Sequence, residues 1–265
     1  MPNIRGQGSY APRLDSPSTG VIITGGASGL GLASAHALAA VGRAVALWDI
    51  DEAGVISCAE DIQRTYGVAS VGLRVDLRDA AAIRPAVAAS RAALGAVGGV
   101  LHSAGTVMMT NIEGVTLENW ESGINLHLRA LLLLVQATLQ DLKANPGSAI
   151  AAFASINATL GAGSIPIYTA AKAGVIGLVR SMADELGRDN IRINAISPGL
   201  IDTPIVEPAF RVVSRESFER RIQLGRLGRA EEVGRLVRFL LSDEASYITA
   251  AEILIDGGNL TSQRT

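Results

Sequence analysis

Tyr168 and Lys172 stand four residues apart in the stretch IYTAAKAG. On a helix that spacing puts both on one face, one turn apart. A free phenol has a pKa of about 10, and to exchange protons near neutrality it must fall by about three units, roughly 4 kcal/mol. An ammonium beside it favours the phenolate through its charge. Such pairs also occur on ordinary helix surfaces, so the pair alone says little. Ser155 adds to it. It follows the apolar run AIAAFA (149–154), which has the character of a strand. It therefore falls at the carboxyl end, where doubly wound sheets bind ligands. A hydroxyl there can hydrogen-bond a substrate oxygen and stabilise charge that develops on it.

A second group of residues is suited to phosphate. In TGGASGLG (24–31), Gly25, Gly29 and Gly31 are spaced four and then two apart, directly behind the strand-like GVIIT (20–24). Glycine permits positive φ and close approach of the backbone to a ligand. The helix that begins here offers free N–H groups and a partial positive charge, which suit a pyrophosphate. Tight turns use glycines as well, so context decides. Asp49 ends the next strand-like run, in LWDID, about twenty residues on, where a dinucleotide fold places the acid that binds ribose hydroxyls. An aspartate there repels a 2′-phosphate. No Arg or Lys lies in the glycine loop or immediately after Asp49. The expected cofactor is NAD (NADH) rather than NADP. The bland reading of Asp49 is a turn or helix cap.

These residues need elements to position them. Short β-branched runs alternate with Ala/Leu-rich amphipathic stretches along the whole chain. Strands are expected at 20–24, 44–48, 71–75, 99–103, 149–154, 191–196 and 252–255. Helices are expected at 29–41, 52–66, 80–94, 117–142, 168–187 and 230–242. Strands alternating with helices make a parallel sheet covered on both faces. Right-handed crossovers make it doubly wound. The expected fold class is therefore α/β, a single-domain Rossmann-type sheet of about seven parallel strands. Residues 1–18 form a polar leader, expected to be flexible, and 19–265 the one domain. Residues 201–226 are a long insertion between a strand and a helix, a candidate substrate lid.

Composition narrows the classes. The 265 residues are 48% hydrophobic and 18% charged, with a formal net charge of −2 and no dense basic block. That argues against nucleic acid as a partner. The longest apolar run, ALLLLV (130–135), is too short to cross a bilayer, so no membrane association is expected. The start carries no apolar signal core. Cys58 is the one cysteine, so no internal disulfide can form, and a reducing cytoplasm fits. No His, Cys and carboxylate cluster has metal-ligand spacing. His36, His102 and His127 are each expected to be packed rather than reactive.

From Gly20 to Leu260 the chain resembles the short-chain dehydrogenase/reductase family. The glycine stretch reads TGxxxGxG, Tyr168 and Lys172 fit YxxxK, and Ser155 lies thirteen residues before the tyrosine. Asn125, in GINLHLRA, matches the asparagine of the central helix. SPG (197–199), Thr203 and IDGG (255–258) match later positions. The resemblance implies roles. Tyr168 is the general acid in ketone reduction and the base in alcohol oxidation. Lys172 lowers its pKa and binds the nicotinamide ribose. Ser155 orients the substrate oxygen, and Asn125 holds a relay water. Gly25, Ser28, Gly29, Leu30 and Gly31 surround the diphosphate and neighbouring ribose. Asp76 and Leu77 meet the adenine. Ser103, Ala104, Gly105, Pro198, Gly199, Ile201 and Thr203 complete the cofactor set. HSAG (102–105) departs from the family's NNAG: Ser103 is shorter than asparagine, so a bond that steadies the sheet is lost or water-mediated.

The groove is expected to be lined by residues after Ser155, by TVMM after Gly105 and by the 201–226 insertion. Their apolar side chains suit a hydrophobic secondary alcohol or ketone as the small-molecule partner. Ser155, Asn157, Tyr168 and Phe210 are its expected contacts. Arg211, Arg215, Arg220 and Arg221 could bind an anion but read better as a solvated helix. Two alternatives stand beside this one: a reductase of acyl-carrier-protein-bound 3-oxo substrates, and a non-catalytic NAD-binding sensor. The resemblance further implies a homotetramer or dimer that pairs the two long helices.

Overall fold

The computed structural model describes residues 10–211 and 213–264. The first half of the expected leader (1–9), residue 212 of the expected lid and residue 265 lie outside the described residues. Seven strands form one wholly parallel sheet: β1 (Gly20–Thr24), β2 (Val45–Asp49), β3 (Ser70–Arg74), β4 (Val97–His102), β5 (Ala149–Phe153), β6 (Arg192–Pro198) and, last in the chain, β9 (Glu252–Ile255). Their spatial order is β3-β2-β1-β4-β5-β6-β9. The chain thus leaves β1 toward one edge, returns, and builds toward the other from β4. The crevice between the carboxyl ends of β1 and β4 is the switch point where such sheets bind ligands. Two-residue strands β7 (Ile201–Asp202) and β8 (Gly228–Arg229) pair separately.

Strand residues bury both faces, as a sheet covered on both sides requires. In β1, Ile22 packs into one apolar core while Val21 and Ile23 pack into the other. The helices that cover the sheet are α1 (Gly29–Ala39), α2 (Glu52–Tyr66), α3 (Ala80–Leu94), α4 (Leu117–Ile124), α5 (Ala130–Ala144), the short α6 (Asn157–Leu160), α7 (Pro166–Arg188), α8 (Glu207–Phe210), α9 (Arg215–Arg221) and α10 (Ala230–Leu240). Local chemistry sets several ends. Asp51 caps α2 by accepting from Gly54 N–H, and Gly67, at φ 70°, closes it. Thr116 caps α4 by accepting from Asn119 N–H. Pro166 opens α7 in the first turn, where its missing N–H costs nothing.

The expected single helix over 117–142 is interrupted. Between α4 and α5, Asn125–Arg129 form one wide turn in which Ala130 N–H reaches back five residues to Asn125 O. Such a turn shifts the helix face and recurs at functional sites. No apolar pattern announces it, because side-chain periodicity is blind to one extra backbone position. By length and composition the run Leu117–Ala144 could cross a membrane. Here Leu131, Leu134 and Leu142 are buried in the sheet's core instead.

The described part of the leader is tied down. Ser16 Oγ donates to Asp243 at 2.6 Å, its carbonyl accepts from Asp243 N–H at 2.7 Å, and Arg13 pairs with the same carboxylate.

Candidate active site

The carboxyl ends of β1, β4, β5 and β6 frame a cavity of about 690 Å³. One end is the glycine loop. Gly25 and Gly29 hold φ of 66° and 53°, which other residues adopt at a cost. A Cβ on Gly25 would meet the Ala104 backbone at 2.9 Å, and one on Gly31 would collide with the Gly25 carbonyl. Glycine is thus required for the loop to fold against β4. Gly31 itself does not line the cavity, whereas Gly25, Ser28, Gly29 and Leu30 do.

Asp49 lines the same end, and its carboxylate accepts from Ala27 N–H at 3.1 Å and Asp51 N–H at 3.2 Å. It therefore fixes the glycine loop to the end of β2. Asp76 and Leu77 lie beside it. Asp76 is not free: Arg78 holds it in a two-pronged pair at 2.9 Å on each arm, which pulls its pKa down. Arg78 is a cation in the cavity wall that lies well beyond Asp49 in sequence. Sequence spacing did not flag it, since the sheet alone brings β3's end beside β2's.

Ser103, Ala104 and Gly105 form the floor. The asparagine bond expected to be missing has a substitute. Thr24 Oγ1 accepts from both Ser103 N–H and Ala104 N–H at 3.0 Å. With both lone pairs used, its own O–H must donate to His102 Nδ1, 3.2 Å away. His102 Nε2 then carries the hydrogen and donates to the His127 carbonyl at 3.1 Å. His102 is 1% exposed, and burial pushes its pKa down to about 3, helped by the charge of Lys172. It is packed, as expected, and it joins β1 and β4 to the wide turn.

At the other end Ser155, Tyr168 and Lys172 converge on the cavity. Ser155 Oγ accepts from Asn157 N–H at 3.2 Å, which leaves its own hydrogen to donate. Lys172 is 4% exposed; its Nζ donates to Phe153 O at 2.6 Å and lies 5.6 Å from the Tyr168 ring centre. Burial lowers the lysine's pKa to about 7. Burial raises that of Tyr168, while a hydrogen bond with Ser155 acts against the rise. The expected fall in the phenol's pKa is therefore absent in the chain by itself. Desolvation dominates at the phenol, and it also makes the Lys172 ammonium expensive to keep charged in the interior.

Asn157, Pro198, Gly199, Ile201 and Thr203 also line the cavity; Asn125 and Phe210 do not. Phe210 packs edge-on against Phe218, 5.9 Å between centres, and Phe218 is the ring that reaches the cavity. Arg215 pairs with Asp202 at 2.5 Å and Glu219 at 3.1 Å, which removes it as an anion site. The wall near Tyr168 is mostly apolar: Val107, Met109, Ile165, Leu200, Val206 and Phe218. His127, treated alike with the other histidines at sequence level, is 2% exposed yet faces this cavity. Among the described residues no group of His, Cys, Asp and Glu could hold a metal ion.

Comparison with known proteins gives consistent results. A family model described as enoyl-(acyl carrier protein) reductase matches residues 25–259. The chain is 36% identical over 248 residues to a probable galactose dehydrogenase of Rhizobium meliloti (strain 1021), covering 92% of this chain and 96% of that one. It is 36% identical over 247 residues to levodione reductase of Leifsonia aquatica, covering 90% and 92%. The crystal structure of levodione reductase superposes with a TM-score of 0.86 at 35% identity, covering 92% and 98%. An NADPH-bound short chain oxidoreductase from Pseudomonas aeruginosa PAO1, with an atypical catalytic center, superposes with a TM-score of 0.85 at 29% identity, covering 94% and 98%.

Proposed function

Because the chain belongs to the short-chain dehydrogenase/reductase family of oxidoreductases, we propose that it transfers a hydride between NAD(H) and a hydrophobic secondary alcohol or ketone. One observation carries the reading: Ser155, Tyr168 and Lys172 meet at one end of a cavity whose other end is the glycine loop and Asp49. The crowding at Gly25 and Gly31 fits a loop that closes on a diphosphate with backbone alone. Asp49 would take the adenosine ribose hydroxyls, with Asp76 and Leu77 near the base and Thr203, Pro198 and Gly199 near the carboxamide. When bound, the nicotinamide supplies or accepts the hydride.

The chain's own groups do the rest. Ser155 turns its hydrogen from the Tyr168 oxygen to the substrate oxygen and orients it. Tyr168 gives that oxygen a proton in reduction and takes one in oxidation. Lys172 brings positive charge to the phenol, anchored by the Phe153 carbonyl. The apolar wall formed by Met109, Ile165, Val206 and Phe218 excludes water and favours a bulky carbon skeleton. Residues 201–226 act as the lid over it. Exposed Leu117 and Trp120 on α4 and Leu132 on α5 suit pairing of subunits into a dimer or tetramer, which light scattering measures.

NADP is the second reading of the cofactor, and Arg78 favours it: freed from Asp76, it would be a cation near the ribose. Its engagement by Asp76 supports NAD. Reduction of an acyl-carrier-protein-bound 3-oxo substrate is the second reading of the reaction, favoured by the description of the matching family model. A panel of secondary alcohols assayed with NAD and with NADP at the absorbance of the reduced cofactor tests all of these. Turnover confined to NADP, or only with acyl-carrier-protein substrates, would sink the primary reading.

A further inference from the structure

The IDGG stretch (255–258) is marked by the family resemblance, yet none of its residues lines the cavity. It builds a turn beyond β9. Asp256 accepts from Gly258 N–H at 2.9 Å and from Leu260 N–H at 2.7 Å. Gly257 and Gly258 hold φ of 62° and 83°, a left-handed pair that glycine takes readily. The turn is fixed to the frame of the cavity, which Gly199 lines. Gly199 N–H donates to Ile255 O at 3.0 Å, and a Cβ on Gly199 would meet Asp256 Cβ at 2.7 Å.

The chain after this turn meets the carboxyl end of α9. A helix of seven residues is too short to stand by itself, and its last carbonyls have no partners within it. Asn259 Nδ2 donates to Arg221 O at 3.3 Å. Arg264 Nη1 donates to Ile222 O at 3.3 Å and to Gln223 O at 3.1 Å. In return Gln223 Nε2 donates to Thr261 Oγ1 at 3.4 Å, and Leu224 N–H to Gly257 O at 3.1 Å. The guanidinium also brings positive charge to the negative end of the helix. The other end of α9 is held by Arg215 on Asp202. Between the two ends stands Phe218, the one residue of α9 that lines the cavity.

We propose that Asn259 and Arg264 are positioning residues for Phe218: they clasp the carboxyl end of α9 and so hold the Phe218 ring in the substrate wall. This rests on the oxidoreductase reading for its kinetic consequence, though not for its geometry. The clasp sets how well the cavity fits a bulky carbon skeleton. It does not touch the reacting oxygen or the cofactor end. Loosening it removes apolar binding that substrate and transition state share, which raises KM and leaves kcat alone.

Arg264→Ala is expected to raise KM for a bulky ketone about fivefold, the scale of one hydrogen bond, with kcat and the KM for NAD unchanged. Asn259→Ala should act in the same direction. Arg264→Lys keeps a donor and the charge, and should restore most of the parent KM. In a Phe218→Ala background Arg264→Ala should add little, a coupling that independent sites do not show. Fluorine NMR of the cofactor-free protein, labelled with fluorophenylalanine, reads the same claim without turnover. The four rings are Phe153, Phe210, Phe218 and Phe239, and the Phe218 line is assigned by its loss in Phe218→Leu. Arg264→Ala should move that line toward its solvent-exposed position and leave those of Phe153 and Phe239 in place. An unmoved Phe218 line, an unchanged KM for the bulky ketone, or a KM effect that persists undiminished without the Phe218 ring overturns the proposal. A parent that turns over no alcohol with NAD would instead defeat the functional reading and leave the fluorine result to decide the clasp.

Discussion

At the glycine-loop end of the cavity the chain answers its own polar groups. Thr24 takes two backbone N–H groups and gives its hydrogen to His102, which passes one to the turn carbonyl. Asp49 fastens the loop, and Arg78 occupies Asp76. At the Tyr168 end fewer polar groups are answered. Ser155 meets the Tyr168 oxygen, His127 Nδ1 has no partner, and the buried Lys172 makes one hydrogen bond. The first end is a finished frame. The second keeps a buried acceptor and a buried ammonium incompletely paired. Burial acts against charge at both ends: it keeps His102 neutral, and it raises the energy of charged states at Tyr168 and Lys172.

The largest test of that contrast is at the open end. Tyr168→Phe is expected to lower turnover by about 10²–10⁴ while NAD still binds, followed by the absorbance of the reduced cofactor and by calorimetric titration. Parent-like ketone reduction in this variant would remove Tyr168 from the mechanism.

Acid probes the finished end. Unfolded histidines take up protons below about pH 6.5, whereas His102 and His127 in the fold resist until about 3 and about 2. Between those limits the unfolded state binds more protons, so stability falls as pH falls. The slope is up to ~1.4 kcal/mol per pH unit for each ring. Calorimetric Tm measured from pH 7 to 4 should drop more steeply in the parent than in His102→Asn. Matching slopes would mean His102 is not the buried neutral ring described.

Thr24→Val keeps the shape and removes the hydroxyl, stranding Ser103 and Ala104 N–H and His102 Nδ1. A loss of about 1–3 kcal/mol is expected, read by denaturant midpoint at constant slope. The smallest effect concerns cofactor choice. Asp49→Ser is expected to raise the NADP-to-NAD ratio of kcat/KM by about tenfold, on the scale of one charge interaction. It should also cost some stability, since Asp49 ties down Ala27. No change in that ratio would leave Asp49 a structural clasp only.

Much of this was legible in the chain. All seven strands of the main sheet and their parallel sense follow from apolar runs that alternate with amphipathic stretches, because only a doubly covered sheet buries them. The positions of Tyr168, Lys172 and Ser155 follow from helix spacing and a strand end. Asn125 was placed by the family resemblance; it opens the wide turn and does not line the cavity, whereas His127, two residues on, does. Phe210 was placed from local apolarity, but its neighbour in space, Phe218, reaches the wall. Arg78 was invisible because its nearness to Asp49 depends on strand pairing between β2 and β3.

By itself the sequence determined the alternation of elements, the glycine loop, and the identities of the groups that can move a proton, since these are encoded in residue type and local spacing. Tertiary structure decided the state of those groups. Which nitrogen of a histidine carries a hydrogen, whether an arginine is free, and whether a phenol is pushed up or down depend on burial and on partners far apart in the chain. Desolvation is set by what packs around a side chain in space, and no local spacing records it.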